Sequence, residues 1–525
     1  MIEAEVHSIL RNYLRSQAEV RWPHHLTMAR LIARALRLGR SALIQTGIPA
    51  WSMNPPYRLS YLLSVLVWSE PVIVVVPPST LTEIIDDNLP NLRHRIQQAQ
   101  SDLSLSKPIE VGDRWPGSNY KGVLFTTPQA WLKARLDKNS TAFPPDIPTI
   151  IDGADDLESW TREQLSVTIS PQDWEALIQT QPNLADEIRE IQDQLSRIIF
   201  QHPVNPYHCY LLEPAEQEIL QQLYDELTQT ASTGLDLPSS WIQFGCLWGD
   251  HPASIEQRSP DQLYWVKVNR SEGNFSLNRA PIDVAAALQP IWLQQPVVLI
   301  GEVLDLEKEA SSYRQLLGLG ELTCVKFTRD RTHQMIQLYL PSGLPMPNTP
   351  KFQASLMAEL RTILSMSLSV SQLKVLLIDD VPLKAQISAQ LASEFGSRVQ
   401  VETTDLAGDG ILVTGWEFWR QHQSQVSPPH LLAIATLPLP SLEHPLVAGR
   451  VAYHKRHRQD WFRLYLLPTA LTQLQRAVAP VRSARGIVAL FDNRVLYRSY
   501  GQQVLAALSP LARIDYLDQT LLMDQ

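Results

Sequence analysis

Four pieces of one stretch decide the fold: ILVTGWEFWR at 411–420, LLAIATLPLPSLEHPLVAGRVAY at 431–453, LTQLQRAVAPVRSARGIVALFDNRV at 471–495, and SYG at 499–501. Two apolar runs within it, Leu431–Leu437 and Gly486–Phe491, are short and bounded by turn or charge signals. Runs of that length and composition read as buried strands. Between them, after LPLP and an acidic-Pro stretch, the chain reads as a helix followed by an arginine-rich turn. The same alternation extends upstream. KVLLIDD at 374–380 reads as a strand, 381–395 as a helix, and 353–368 as another helix. Strands alternating with helices predict a doubly wound, mostly parallel sheet.

The first half of the chain repeats this grammar. A helix over 28–38 has an apolar stripe with arginines on the other face. Strands follow at 41–47, 71–78, 122–127, 149–152 and 296–304, each leading into a polar turn or helix. From about 158 to 270 the pattern is mostly helical, with an amphipathic, acid-rich stretch over 215–231, and it ends near an alternating strand at 264–268. The expected architecture is α/β: two doubly wound parallel-sheet domains with a helical insertion in the first. The expected boundaries are 1–157 with 266–305 for the first sheet domain, 158–265 for the insertion, and 306–525 for the second.

Composition limits the function. Hydrophobic residues at 44% and charged residues at 19% describe an ordinary globular protein of several domains. The net charge of −9 gives no bulk attraction for nucleic acid, although a local basic patch remains compatible with it. The three cysteines, Cys209, Cys246 and Cys324, are far apart and form no Cys-x-x-Cys. Neither a cysteine-built zinc site nor an iron–sulfur cluster is expected. The N-terminus lacks the pattern of a signal peptide, and the apolar stretch 59–76 is broken by Ser69-Glu70-Pro71. The expectation is a cytoplasmic protein without a membrane span.

The ordered series in the last hundred residues resembles the second motor domain of the DinG/XPD-like superfamily-two DNA helicases. The residues that carry the resemblance are Phe418-Trp419, Leu437-Pro438, Pro440, Pro445, Gln475, Arg482, Asp492, Arg494, Tyr500 and Gly501. In the first half the flanks match too: a strand ending at Gly47, the helix start Leu59-Ser60-Tyr61-Leu62-Leu63, and a strand ending in Asp152. The resemblance implies two RecA-like domains, an arch-like insertion, ATP with magnesium as cofactor, and single-stranded or forked DNA as partner.

At the places where the family does chemistry, this chain differs. The phosphate loop, a glycine-rich turn with a lysine, is replaced by residues 48–58, which hold three prolines and no lysine. Arg58 offers a charge near the missing lysine. The family's Asp-Glu-Ala-His becomes Asp152-Gly153-Ala154-Asp155, so the magnesium-holding aspartate stays and the water-orienting glutamate is absent. The first arginine of the family's arginine pair falls on Ala479, a loss worth on the order of a thousandfold where turnover depends on it. Arg482 occupies the second. His24 and His25 stand where the family reads adenine, after Arg21. Gly47, Arg58, Asp152 and Arg482 are therefore the candidates for a degenerate nucleotide site, with magnesium, if bound, on Asp152.

Nucleic-acid contact has two separate candidates, the group Arg476, Arg482 and Arg485 and a segment before it. Lys455, Arg456 and Arg458 lie beside Trp461 and Arg463, a pairing of cations and an aromatic that suits phosphates and bases. The alternative for the same residues is a solvated helix face. Three functions compete: a nucleic-acid-binding helicase homologue with little or no hydrolysis, an inactive protein-interaction scaffold, and an active helicase using non-standard residues.

Overall fold

The computed structural model describes residues 2–16, 22–50, 54–99, 105–137, 139–230, 237–245, 261–327, 335–367 and 372–514. Within them the chain builds two parallel sheets and one antiparallel sheet. The first sheet runs, edge to edge, Thr323–Lys326, Ala42–Gln45, Val297–Gly301, Thr149–Asp152, Val72–Val75, Val123–Thr126 and Ile109–Val111. Every pairing in it is parallel. The second runs Val399–Val401, Ile411–Thr414, Lys374–Leu377, Leu431–Ile434, Ile487–Leu490, Ile336–Tyr339 and Leu511–Ile514, again all parallel.

The central strands are largely apolar runs because both faces of each sheet are covered by helices. Val72 and Val74 enter the core on one face of the first sheet, Ile73 and Val75 the core on the other. Leu432 and Ile434 likewise divide from Leu431 and Ala433 in the second sheet. Each such fully buried aliphatic side chain contributes roughly 1.5–3 kcal/mol.

Two expectations about the middle of the chain need correction. The segment 158–265 is not purely helical. Its long helix Ala185–Gln201 does bury Ile188, Ile191, Leu195 and Ile199 along one stripe. These side chains, however, pack on an antiparallel sheet ordered Val167–Ile169, Asn274–Pro281, Gln262–Asn269, Cys209–Leu211. The Gln262–Asn269/Asn274–Pro281 hairpin thus belongs to the inserted unit rather than to the first motor sheet. The boundary at 305/306 also moves. Thr323–Lys326 pairs in parallel with Ala42–Gln45, so the first sheet draws on residues through 326. The helix Ser311–Leu317 ends in a left-handed Gly318, which turns the chain back to that edge.

Candidate functional site

In doubly wound sheets, ligands bind at the carboxyl ends of the strands. At that end of the first sheet the chain leaves Ala42–Gln45 through Thr46 and Gly47, whose φ of 71° is a glycine conformation. The Gly47 amide donates to the Glu302 carbonyl at 3.0 Å. The Gln45 side chain accepts from the Leu304 and Asp305 amides at 3.1 and 3.0 Å, and donates to the Glu307 carbonyl. The turn is tied sideways to the 301–307 loop.

The helix Arg58–Val67 and the residue before it supply the next layer. Tyr57 and Tyr61 are one turn apart and project on the same face. Their hydroxyls donate to the two oxygens of Asp152, Tyr57 to Oδ1 at 2.7 Å and Tyr61 to Oδ2 at 3.0 Å. Arg58 lies beside them, its Nε 3.5 Å from Asp152 Oδ2. Its terminal nitrogens donate to Glu83, to the Ala50 carbonyl and to the Thr80 hydroxyl. Asp152 is 0% and Arg58 1% exposed.

Burial pushes the Asp152 carboxyl above its ordinary value, against the opposing pull of Arg58 and the two hydroxyls. Burial, reinforced by the Asp152 charge, holds both tyrosines well above the ordinary phenol range, so they remain donors. Burial disfavours the Arg58 cation, but Asp152, the two tyrosines and Glu83 together outweigh it and the guanidinium titrates above its usual value.

Beyond Asp152 the chain turns through Gly153 at φ 84°, a left-handed conformation that a glutamate would adopt only under strain. Asp155 accepts from the Glu302 and Val303 amides at 2.9 and 3.1 Å. Burial nevertheless raises its pKa. Asp156 receives Arg476 Nη1 at 2.7 Å. Arg476 comes from the helix Leu467–Ser483, which packs on the second sheet, so this pair crosses between the two sheet domains. Burial opposes the Arg476 cation; Asp156 and Asp155 overcome that and stabilise it. A cavity of about 210 Å³ lies here, bordered by Ala50, Thr80, Gly153, Asp156, Trp160 and Arg476.

The sequence-selected residues divide. Gly47, Arg58 and Asp152 gather at one end of the first sheet. Arg482 does not join them. It is 4% exposed, and its guanidinium donates to the carbonyls of Leu508, Ser509 and Pro510, with Nη1 3.0 Å from Pro510. The arginine that reaches the cleft is Arg476. Tyr57, Tyr61 and Glu83 were not selected as site residues; the four-residue spacing of the two tyrosines puts them on one helix face but does not name their partner. His25 is buried, bonds Ser60 at 3.1 Å, and is pushed down to about 4 by burial and then by His24. His24 stacks on Phe327 at 4.8 Å. Arg21, residues 51–53 and Cys246 lie outside the described residues.

The basic candidates lie together at the end of the helix Pro445–Arg456 and the turn after it. Lys455, Arg456, Arg458 and Arg463 are exposed and Trp461 is half-buried. Lys455 Nζ stands 5.4 Å from the Trp461 ring centre, within cation–π reach. Asp460 faces Arg463 at 3.7 Å. Among the described residues no group of three or more His, Cys, Asp or Glu is arranged to hold a metal, and no helix is long and apolar enough to cross a membrane.

Comparison with known proteins places this geometry. No family model matches the chain. A segment of 281 residues is 26% identical to the ATP-dependent DNA helicase YoaA of Escherichia coli (strain K12). That match covers 49% of this chain and 42% of YoaA, so the chain spans less than half of that relative. Among solved structures, Xpd4 of S. tokodaii aligns with a TM-score of 0.56 at 13% identity, over 94% of this chain and 99% of that one. An XPD helicase aligns equally well, with a TM-score of 0.56 at 12% identity over 95% and 100%. These two likenesses establish the two-lobed RecA-like fold.

Proposed function

Since the chain belongs to the DinG/XPD-like superfamily-two helicase family, we propose that it is a DinG-like helicase homologue, cytoplasmic, that binds nucleic acid with little or no ATP hydrolysis. One observation carries the reading: the carboxylate expected to hold magnesium, Asp152, is fully buried with both oxygens bonded to tyrosine hydroxyls.

The residues present do not fit a magnesium–nucleotide complex. Freeing Asp152 would break two hydrogen bonds to a charged group, at roughly 1.5–3 kcal/mol each. Arg58 is committed to Glu83, Ala50 and Thr80. Gly153 brings no carboxylate to orient water, and Ala479 no guanidinium to a transferring phosphoryl group. What supports nucleic-acid contact is the exposed 455–463 segment, where Lys455, Arg456, Arg458 and Arg463 meet phosphates and Trp461 offers a stacking face.

The test is calorimetry with ATP and magnesium, then phosphate release with and without single-stranded DNA, then anisotropy of a labelled strand across salt. The expected result is no heat at millimolar ATP, no stimulated release, and DNA binding that weakens with salt, the 455–463 segment contributing about −3 to the log–log slope, near −0.7 for each of four cations. DNA-stimulated hydrolysis would overturn the reading in favour of an active helicase with non-standard residues. Absence of DNA binding would overturn it in favour of a protein-interaction scaffold.

A further inference from the structure

A second charged surface lies away from the cleft and from the 455–463 segment. From residue 20 to residue 69 the chain has no Asp or Glu, yet it carries Arg30, Arg34, Arg37 and Arg40. In a protein of net charge −9 this is a local reversal of sign. The helix His25–Leu38 buries Met28, Ala29, Ile32, Ala33, Ala35 and Leu36, which forces Arg30, Arg34 and Arg37 to the other face. By helical geometry those three fall within an arc of about 60°. Gly39, in the left-handed conformation, ends the helix and turns Arg40 onto the same rim.

Arg34 and Arg40 border one cavity of about 170 Å³, with the hydroxyl residues Ser41 and Thr323 at its edge. Arg37 is engaged by Glu3 at 2.6 Å. Arg30, Arg34 and Arg40 are exposed, and no carboxylate of the described residues pairs with them. Ser41 precedes the first-sheet strand Ala42–Gln45, whose far end opens to Gly47 and the cleft. The arginine rim is thus on the opposite end of the sheet from the cleft.

We infer that this arginine rim binds the phosphodiester backbone of a nucleic-acid strand, as a second contact surface independent of the 455–463 segment. Arginine forks match phosphate oxygens in pairs. The stripe from Arg30 to Arg40 is about 15 Å long at helical rise, the axial length of about four nucleotides at 3.4 Å each. Among the described residues one carboxylate, Glu3, enters the stripe and it is taken by Arg37, so the other three arginines favour a uniform polyanion over a mixed protein surface.

The test compares the full chain with Arg30→Gln/Arg34→Gln/Arg40→Gln, with Lys455→Gln/Arg456→Gln/Arg458→Gln, and with both sets combined. All six positions are exposed, and unchanged melting temperatures verify folding. Anisotropy with labelled single-stranded DNA is read between about 50 and 200 mM salt. The arginine variant is expected to bind on the order of tenfold more weakly, its salt slope reduced by about 2, from three contacts at 0.7 each. In the 455–458 background, residual binding is expected to disappear on adding the arginine changes. Unchanged affinity and slope in the arginine variant would overturn this inference while leaving the proposed function standing. Loss of binding with the arginine set alone, the 455–458 set being silent, would support the rim and remove the segment. Retention of the unmodified protein on polyglutamate, lost in the arginine variant with DNA binding unaltered, would reassign the face to an acidic polypeptide and overturn it.

Discussion

Each sheet domain ends a central strand beside a buried aspartate, and the two are satisfied by different means. Asp492 in the second is 0% exposed and is gripped by the Arg494 guanidinium, two residues on, and by the Leu437 amide at 2.8 Å. Asp152 in the first is equally buried, but its direct donors are two neutral hydroxyls, and its cation is shared with Glu83. The first arrangement ties a strand end to the loop after the neighbouring strand, and folding alone accounts for it. The second brings side chains of the substituted 48–58 segment and its helix onto the carboxylate. One carboxylate is held by an arginine two residues away, the other by tyrosines 95 and 91 positions away.

The largest effect should come from breaking the Arg494–Asp492 pair. Arg494→Ala leaves Asp492 buried with an unpaired charge, and should cost about 3–5 kcal/mol in chemical denaturation. A cost under 1 kcal/mol would place Asp492 and Asp152 in the same class. Tyr57→Phe removes one donor to Asp152 and should cost about 2 kcal/mol, with Tyr61→Phe similar; this sharpens the contrast, because neither removes a charge.

The pH dependence separates the two sites further. Asp152 has a folded-state pKa above its unfolded value. Its contribution is therefore fully present below the ordinary aspartate range and falls as pH rises through the raised folded value. Asp152→Asn should remove that decline, so the stability difference between acidic and neutral pH should shrink relative to the parent. An identical pH profile in the two proteins would show that Asp152 ionises as freely folded as unfolded. The smallest effect is expected at the bridge between domains. Asp156 is 39% exposed, so screening limits Arg476→Ala to below about 1 kcal/mol. Its signature should be faster amide exchange around Gly153–Asp156 rather than a changed melting temperature.

The parallel sheets were legible because strands buried on both faces are unbroken apolar runs, as in Val72–Val75 and Leu431–Ile434. The inserted sheet was so only in part: the alternation at 264–268 marks the strand Gln262–Asn269, whereas Val167–Ile169 and Cys209–Leu211 are three residues long and carry almost no periodicity. Thr323–Lys326 escaped for a related reason: an edge strand, half-exposed and ending in lysine, looks like a loop. Within the site, Asp152 and Arg58 were legible from their positions in the ordered series. The tyrosine cage was not, because its bonds join residues 95 and 91 positions apart. Arg482 and Arg476 were exchanged for a geometric reason. Six residues along a helix place two side chains about 120° apart, so they cannot face the same neighbour.

The inserted unit has one more consequence. It grows from the first lobe, where Arg162 holds the carbonyls of Pro281 and Ile282. It also touches the second lobe: Tyr207 meets His444 at 4.5 Å, and a Cβ on Gly449 would press within 2.7 Å of Leu263. With the Arg476–Asp156 bridge, three bodies are joined pairwise, as in a triangular truss. A pair of plates on one hinge swings freely, whereas a triangle moves only if one corner slips. At the Gly449 corner backbone meets leucine with no room for a side chain, so this contact sets how closely the inserted unit and the second lobe approach.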